Sequence, residues 1–170
     1  QALKIFREME EAGGIGLACH AYAESLRRMT NTDLLTYGQT IQHLKEASRY
    51  AEEAVKIFTE QAKQPLRLAE AQIEVGCVYR EWARHVPTDN SEREEKVEKS
   101  RVAYEEAVAT AVEGRYEYRA VDALVNMAWL YYYVGDVKTA EDVLEKRVRN
   151  RLGNEYLFTI EHGVDESHAP

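Results

Sequence analysis

One pattern constrains this chain more than any other: a helical stripe that returns twice. "AEEAV" at 51–55 and "YEEAV" at 104–108 lie 53 positions apart. Shifting the sequence by that amount opens a longer alignment. Tyr22, Val75 and Met127 fall in register, and one residue on so do Ala23, Gly76 and Ala128. Leu26, Tyr79 and Tyr131 follow, then Met29, Trp82 and Val134. Offsets of four and seven lie on one side of an α-helix. A small residue recurring at one place on that stripe predicts a close helix crossing, because a large side chain would hold the axes apart. On this reading Ala128→Leu overpacks a crossing and costs about 1–3 kcal/mol.

A second stripe starts at Ala47, Ser100 and Ala140. It passes through Ala51, Tyr104 and Leu144 and reaches Ala54, Ala107 and Arg147. "EEAV" belongs to it: the Ala and Val face inwards and the glutamates face solvent. "ALKIFREM" supplies Ala2, Phe6 and Met9 at the same offsets and reads as the second helix of a preceding unit. The third unit has a shorter hairpin than the other two.

Nine glycines and three prolines among 170 residues favour helix over a turn-rich sheet protein. Gly13 and Gly14 are expected to end a first helix. A second runs from about Ile15 to Met29, and a third from about Asp33 to Ala62 with a break near Gly38. Pro65 suits the first turn of a fourth, ending near His85. Ser91 with Glu94 forms a capping-box pattern for a fifth, Glu92 to Glu113. A sixth spans about Tyr116–Val134. Asp136 then caps a seventh, about Val137–Arg151, closed by Gly153. The expected organisation is one all-α helical repeat domain over 1–153, with a short helix and flexible tail over 154–170. A chain opening on Gln1 rather than Met reads as a piece of a longer protein.

A formal net charge of −8 speaks against binding to phosphate backbones. No apolar run approaches the length of a membrane span. Cys19 and Cys77 both sit inside helical patterns, so a reducing, cytoplasmic setting is expected.

"LVNMAWLYYYVGDVKTAEDVL" resembles a tetratricopeptide (TPR) repeat. Leu124, Met127, Ala128, Tyr131, Gly135 and Ala140 match that family's order of large, small, aromatic, turn glycine and alanine. The other two units match more loosely, with longer hairpins and no turn glycine. Their period near 53 exceeds the family's roughly 34 residues. The resemblance implies an α-α superhelix, TPR-like in fold, whose inner groove is lined by first helices. Long-hairpin arrays of this kind also resemble the sensor arms of large bacterial signalling ATPases and transcription regulators.

Carried over residue by residue, the implied groove positions in the second unit are Glu70, Ile73, Glu74, Cys77, Arg80 and Glu81. In the third they are Asp122, Val125, Asn126, Trp129, Tyr132 and Tyr133. In the first they are Leu17, His20, Ala21, Glu24, Arg27 and Arg28. The family's carboxylate clamp needs Lys, Asn and Arg at set places, and only Asn126 fits, so an acidic peptide tail is not the expected ligand. Glu70, Glu74, Cys77, Glu81, Asp122, Asn126, Trp129, Tyr132 and Tyr133 form the predicted partner-binding groove. The expected partner is a basic or aromatic-bearing peptide or protein segment, anchored on Trp129 and Tyr132. Self-assembly into a homodimer is the rival reading.

Catalysis is not expected, and neither is a cofactor or a metal. "GGIG" at 13–16 lacks the strand and lysine of a phosphate loop. His162, Asp165, Glu166 and His168 are metal-capable but sit in the tail with no framework to fix geometry. An enzyme would need His20, Cys77 and Glu74 brought together.

Overall fold

A computed structural model describes residues 2–32, 34–88 and 90–151. The predicted tail helix, the closing Gly153 and the four metal-capable tail residues lie outside the described residues. Those described are all-α, without strands. The helices are α1 (Ala2–Glu8), α2 (Ala12–Met29), α3 (Tyr37–Glu60), α4 (Pro65–His85), α5 (Ser91–Glu113), α6 (Glu117–Val134) and α7 (Val137–Asp142). The last runs on through a π-helical segment, Val143–Val148. No described helix is long and apolar enough to cross a membrane.

Each helix packs on the next, and the connections are short. In addition α2 touches α4 and α4 touches α6, whereas α3 and α5 stand apart. The first helices of the units therefore form a continuous layer. The second helices splay above it and leave a furrow between them.

The glycine pair at 13–14 begins a helix and does not end one. Glu10 takes φ 55°, a left-handed turn, and Glu11 caps α2 by accepting from the Gly13 and Gly14 amides. Side chains at these glycines would collide with their neighbours. A Cβ on Gly14 would meet the Phe6 ring, and one on Gly16 would meet the Phe58 ring at 2.7 Å. Bare backbone at the start of α2 thus lets α1 and α3 close on it. A carboxylate of the chain itself occupies the amide pair that a phosphate would use.

Two other helix starts differ from expectation by their caps. Thr36, not Asp33, starts α3 with a full capping box to Gln39. Asn90 caps α5 through the Glu92 amide, so Ser91 is already helical. Asp136 caps α7 as expected, and Gly135 takes the left-handed φ of 87° that closes α6.

The small residues of the stripe face the interior, and at Gly76 the crossing is close. Ala23, Gly76 and Ala128 are all buried. Gly76 meets the second stripe directly: Ser100 Oγ donates to its carbonyl at 2.8 Å, and a Cβ there would lie 2.4 Å from the Tyr104 ring. Tyr104 is fully buried, so that ring has little room to retreat.

The register weakens at both ends of the repeat. Tyr22 and Met29 of the first unit are exposed. In the third, Leu144 is exposed and Arg147 half-buried, while Val143 and Val148 are buried. The π-segment adds a residue to that turn, which rotates the face that reaches the core. The "EEAV" glutamates are also less free than expected. Glu52 accepts from Tyr79 Oη, Glu53 pairs with Arg7 at 2.7 Å, and Glu105 holds Arg147 through both oxygens at 2.8 and 2.9 Å. Only Glu106 has no such partner among the described residues. A guanidinium can reach across a helix pair to a half-exposed carboxylate, which sequence periodicity does not register.

Candidate functional site

The positions predicted to line the groove lie on α4 and α6 and divide into two kinds. The first kind is knitted to the chain's own arginines. Arg27 of α2 grips Glu74 of α4 with Nε–Oε1 at 2.6 Å and Nη2–Oε2 at 2.9 Å. One unit later, Arg80 of α4 donates from Nη1 to Asn126 Oδ1 of α6 at 3.0 Å. Arg27 and Arg80 occupy the same place in their units, and so do Glu74 and Asn126. The same reach from one first helix to the next is used twice.

The remaining acids are engaged as well. Glu81 accepts from Arg84 at 2.7 Å and lies 3.6 Å from Arg80 Nε. Glu70 accepts from Arg67 at 2.7 Å and from Arg119. Burial opposes the charge on Glu70, but the two arginines outweigh it and hold its carboxyl below the ordinary value. Burial likewise opposes the charge on Arg27, and Glu74 more than restores it. Asp122 accepts from Asn126 Nδ2 at 3.0 Å and from Arg119 Nη1 at 3.5 Å. The acidic wall read from sequence is therefore internally neutralised. Arg67–Glu70 and Arg84–Glu81 are three apart on one helix and follow helical spacing, but no spacing rule joins Glu74 to Arg27 or Glu70 to Arg119, 47 and 49 positions away.

Cys77 sits between Tyr104 and Asn126, taking a hydrogen bond from the Tyr104 hydroxyl at 3.4 Å and donating to Asn126 Oδ1 at 3.6 Å. Burial pushes its thiol up, away from the thiolate that nucleophilic chemistry needs. Cys19 is pushed up to about 11 for the same reason. His20 makes no hydrogen bond to Cys77 or Glu74 among the described residues. No group of three metal-capable side chains occurs among them either.

The second kind is aromatic and open. Trp129 is 50% exposed, Tyr132 56% and Tyr133 40%. Their rings form one cluster: Trp129 meets Tyr132 edge-on at 5.8 Å and stacks on Tyr133 at 5.9 Å. Tyr133 also lies under Arg84, 4.7 Å from its ring centre, which ties the cluster to the arginine ladder. Tyr132 occupies the place that Arg27 and Arg80 hold in the earlier units, and it reaches no further helix among the described residues. On its other side, Trp129 and Tyr132 border a hollow of about 490 Å³ between α6 and α7, walled by Val125, Ala128, Val137 and Leu144.

A larger hollow of about 780 Å³ opens beside α1 and α2. Its charged side chains are paired, Arg7 with Glu53 and Lys4 with Glu8, and its aromatics are one edge-on pair, Tyr22 and Tyr50 at 4.8 Å, against three rings on α6.

No protein-family model matches the chain, and no curated protein does. The candidate site rests on geometry: a sealed polar ladder over α2, α4 and α6, ending in an aromatic patch beside an apolar hollow.

Proposed function

We propose that this chain is a TPR-like interaction module that binds a peptide or partner-protein segment without catalysis. One observation carries the reading: three aromatic side chains, each two-fifths exposed or more, cluster beside an apolar hollow of about 490 Å³. Exposed aromatic patches with an adjoining cavity are the usual seat of interface anchors. With Glu70, Glu74 and Glu81 already paired, affinity comes from an apolar or aromatic anchor in the hollow. The net charge of −8 and the carboxylate of Glu141 at the rim favour basic flanking residues. In the setting the resemblance implies, the module is the regulatory arm of a larger signalling ATPase or transcription regulator.

Trp82 is buried and Trp129 half-exposed, so a fluorescence change on titrating a Lys/Arg- and aromatic-rich peptide library reports on the patch. Binding that disappears in Trp129→Ala is expected. Absence of binding, or binding indifferent to that substitution, refutes the reading. Self-association is the second reading, because the same apolar face would also seat another copy. Light scattering at several concentrations separates the two, since the peptide-binding module stays monomeric.

A further inference from the structure

The hollow between α6 and α7 has two features that a neutral apolar anchor leaves unused. The rings of Trp129 and Tyr132 border it at right angles to each other, 5.8 Å apart. Its one charged lining residue is Glu141. That carboxylate is exposed and has no ion-pair partner among the described residues, although Lys138 stands one turn earlier on α7. The next two acids along the chain are paired, Asp142 with Lys146 at 2.8 Å and Glu145 with Arg149 at 3.1 Å.

These features select a ligand by its charge and its hydration. A neutral apolar group in the hollow leaves the Glu141 charge at the rim uncompensated. A primary ammonium compensates it, but brings three N–H donors and a tightly held shell of water. The lining side chains offer that group only two kinds of acceptor, the Glu141 carboxylate and the Tyr132 hydroxyl. A fully methylated ammonium keeps the charge and needs no acceptor. Its methyl groups suit apolar walls, and its charge is attracted to aromatic rings. The same cluster already holds one cation on its other side, where Arg84 lies 4.7 Å from the Tyr133 ring centre.

We infer that the hollow takes a trimethylated lysine side chain of a partner protein. The inference rests on the reading of the chain as an interaction module and names the group that its hollow accepts. The trimethylammonium head lies against Trp129 and Tyr132, and Glu141 balances its charge. Its methylene stem lies against Val137 and Leu144, which are both partly in solvent. A peptide-borne group is favoured over a free amine because the aromatic surface continues past the hollow to Tyr133, which is 40% exposed. That surface gives the residues flanking the lysine a place to lie.

The test titrates the full chain with capped peptides that differ at one residue only: trimethyllysine, lysine, or the neutral isostere in which a tert-butyl group replaces trimethylammonium. Choline is the further probe. In nitrogen-15 NMR the Trp129 indole signal should shift with saturation, and that of the buried Trp82 should not. Calorimetry should show trimethyllysine binding about tenfold tighter than either lysine or the isostere. Glu141→Gln should weaken trimethyllysine binding up to about fivefold, with the isostere and the melting temperature unchanged. Trp129→Leu keeps an apolar side chain and should erase most of the preference for the charged head. An isostere or a lysine peptide that binds as tightly as trimethyllysine overturns the inference and leaves the module reading standing. A preference that survives both substitutions overturns it too. Choline binding as tightly as the peptide also overturns it, because the ligand is then a free small molecule. If neither these probes nor the peptide library moves the Trp129 signal, the module reading falls with it.

Discussion

The middle hairpin, α4 with α5, and the last, α6 with α7, are built on the same stripes and end in opposite states. In the middle one, Gly76 lies against Ser100 and the buried Tyr104 ring, and α4 is clasped on both sides by Arg27–Glu74 and Arg80–Asn126. In the last one, Ala128 borders an open hollow, and Tyr132 holds the arginine place and grips no further helix among the described residues. Among the described residues, the same repeat position is a fastening in the first two units and an exposed aromatic in the third. In a repeat fold the fate of a residue depends on whether its unit has a neighbour, more than on its own helix.

The sharpest way to break this comparison is at the clasp. Arg27→Met leaves Glu74 charged and nearly buried, and should cost about 3–5 kcal/mol in urea unfolding. Pairing it with Glu74→Leu should recover most of that loss. If the double variant is as unstable as the single, the clasp is not what Arg27 contributes.

Next comes the crossing. Gly76→Ala drives a Cβ into the Tyr104 ring and should cost about 1–3 kcal/mol, seen as a lowered thermal midpoint. A neutral outcome would mean that α4 and α5 can separate, and the middle hairpin would then resemble the last.

A smaller and pH-dependent effect belongs to Glu70. Its folded-state carboxyl is held below the ordinary 4.5 by Arg67 and Arg119, against the opposing pull of burial. The stability this supplies is present above 4.5 and lost as pH falls through the lower folded value. Glu70→Gln should therefore cost about 1 kcal/mol at pH 7 and nothing once both states are protonated. Denaturant curves at pH 7 and at successively lower pH check the sign. A penalty that grows on acidification contradicts it.

The last hairpin should be the more forgiving. Ala128→Leu, which periodicity alone equates with overpacking at Gly76, can extend into the hollow and should cost less than about 1 kcal/mol. Trp129→Ala should change stability by no more than about 0.5 kcal/mol, because the ring is half in solvent. A large loss there would make Trp129 a packing residue and remove it from the binding patch.

Most helices were legible because local rules write them. Pro65 opens α4, Asp136 caps α7, and Gly135 closes α6. The buried small residues Ala23, Gly76 and Ala128 were legible because spacing alone puts them on one face. The glycine pair was misread because Gly-Gly after a helix resembles a stop. Here the left-handed turn at Glu10 and the Glu11 side chain on the Gly13 and Gly14 amides make it a start. Of the candidate groove, Trp129, Tyr132 and Tyr133 are positions that the TPR resemblance carried over, and all three are exposed. The cross-helix pairing of Glu74 with Arg27 and Glu70 with Arg119 was not legible, because each arginine comes from another helix.

The sequence by itself determined that the chain is helical, where most helices begin and end, and which small residues are buried. These depend on caps, glycine and proline, and on a 3.6-residue period, all of them local. Only the tertiary structure decided which charges are free. It showed that Glu74 belongs to Arg27 and Glu105 to Arg147. Pairing across helices depends on which faces meet, and that is fixed only when the whole layer closes.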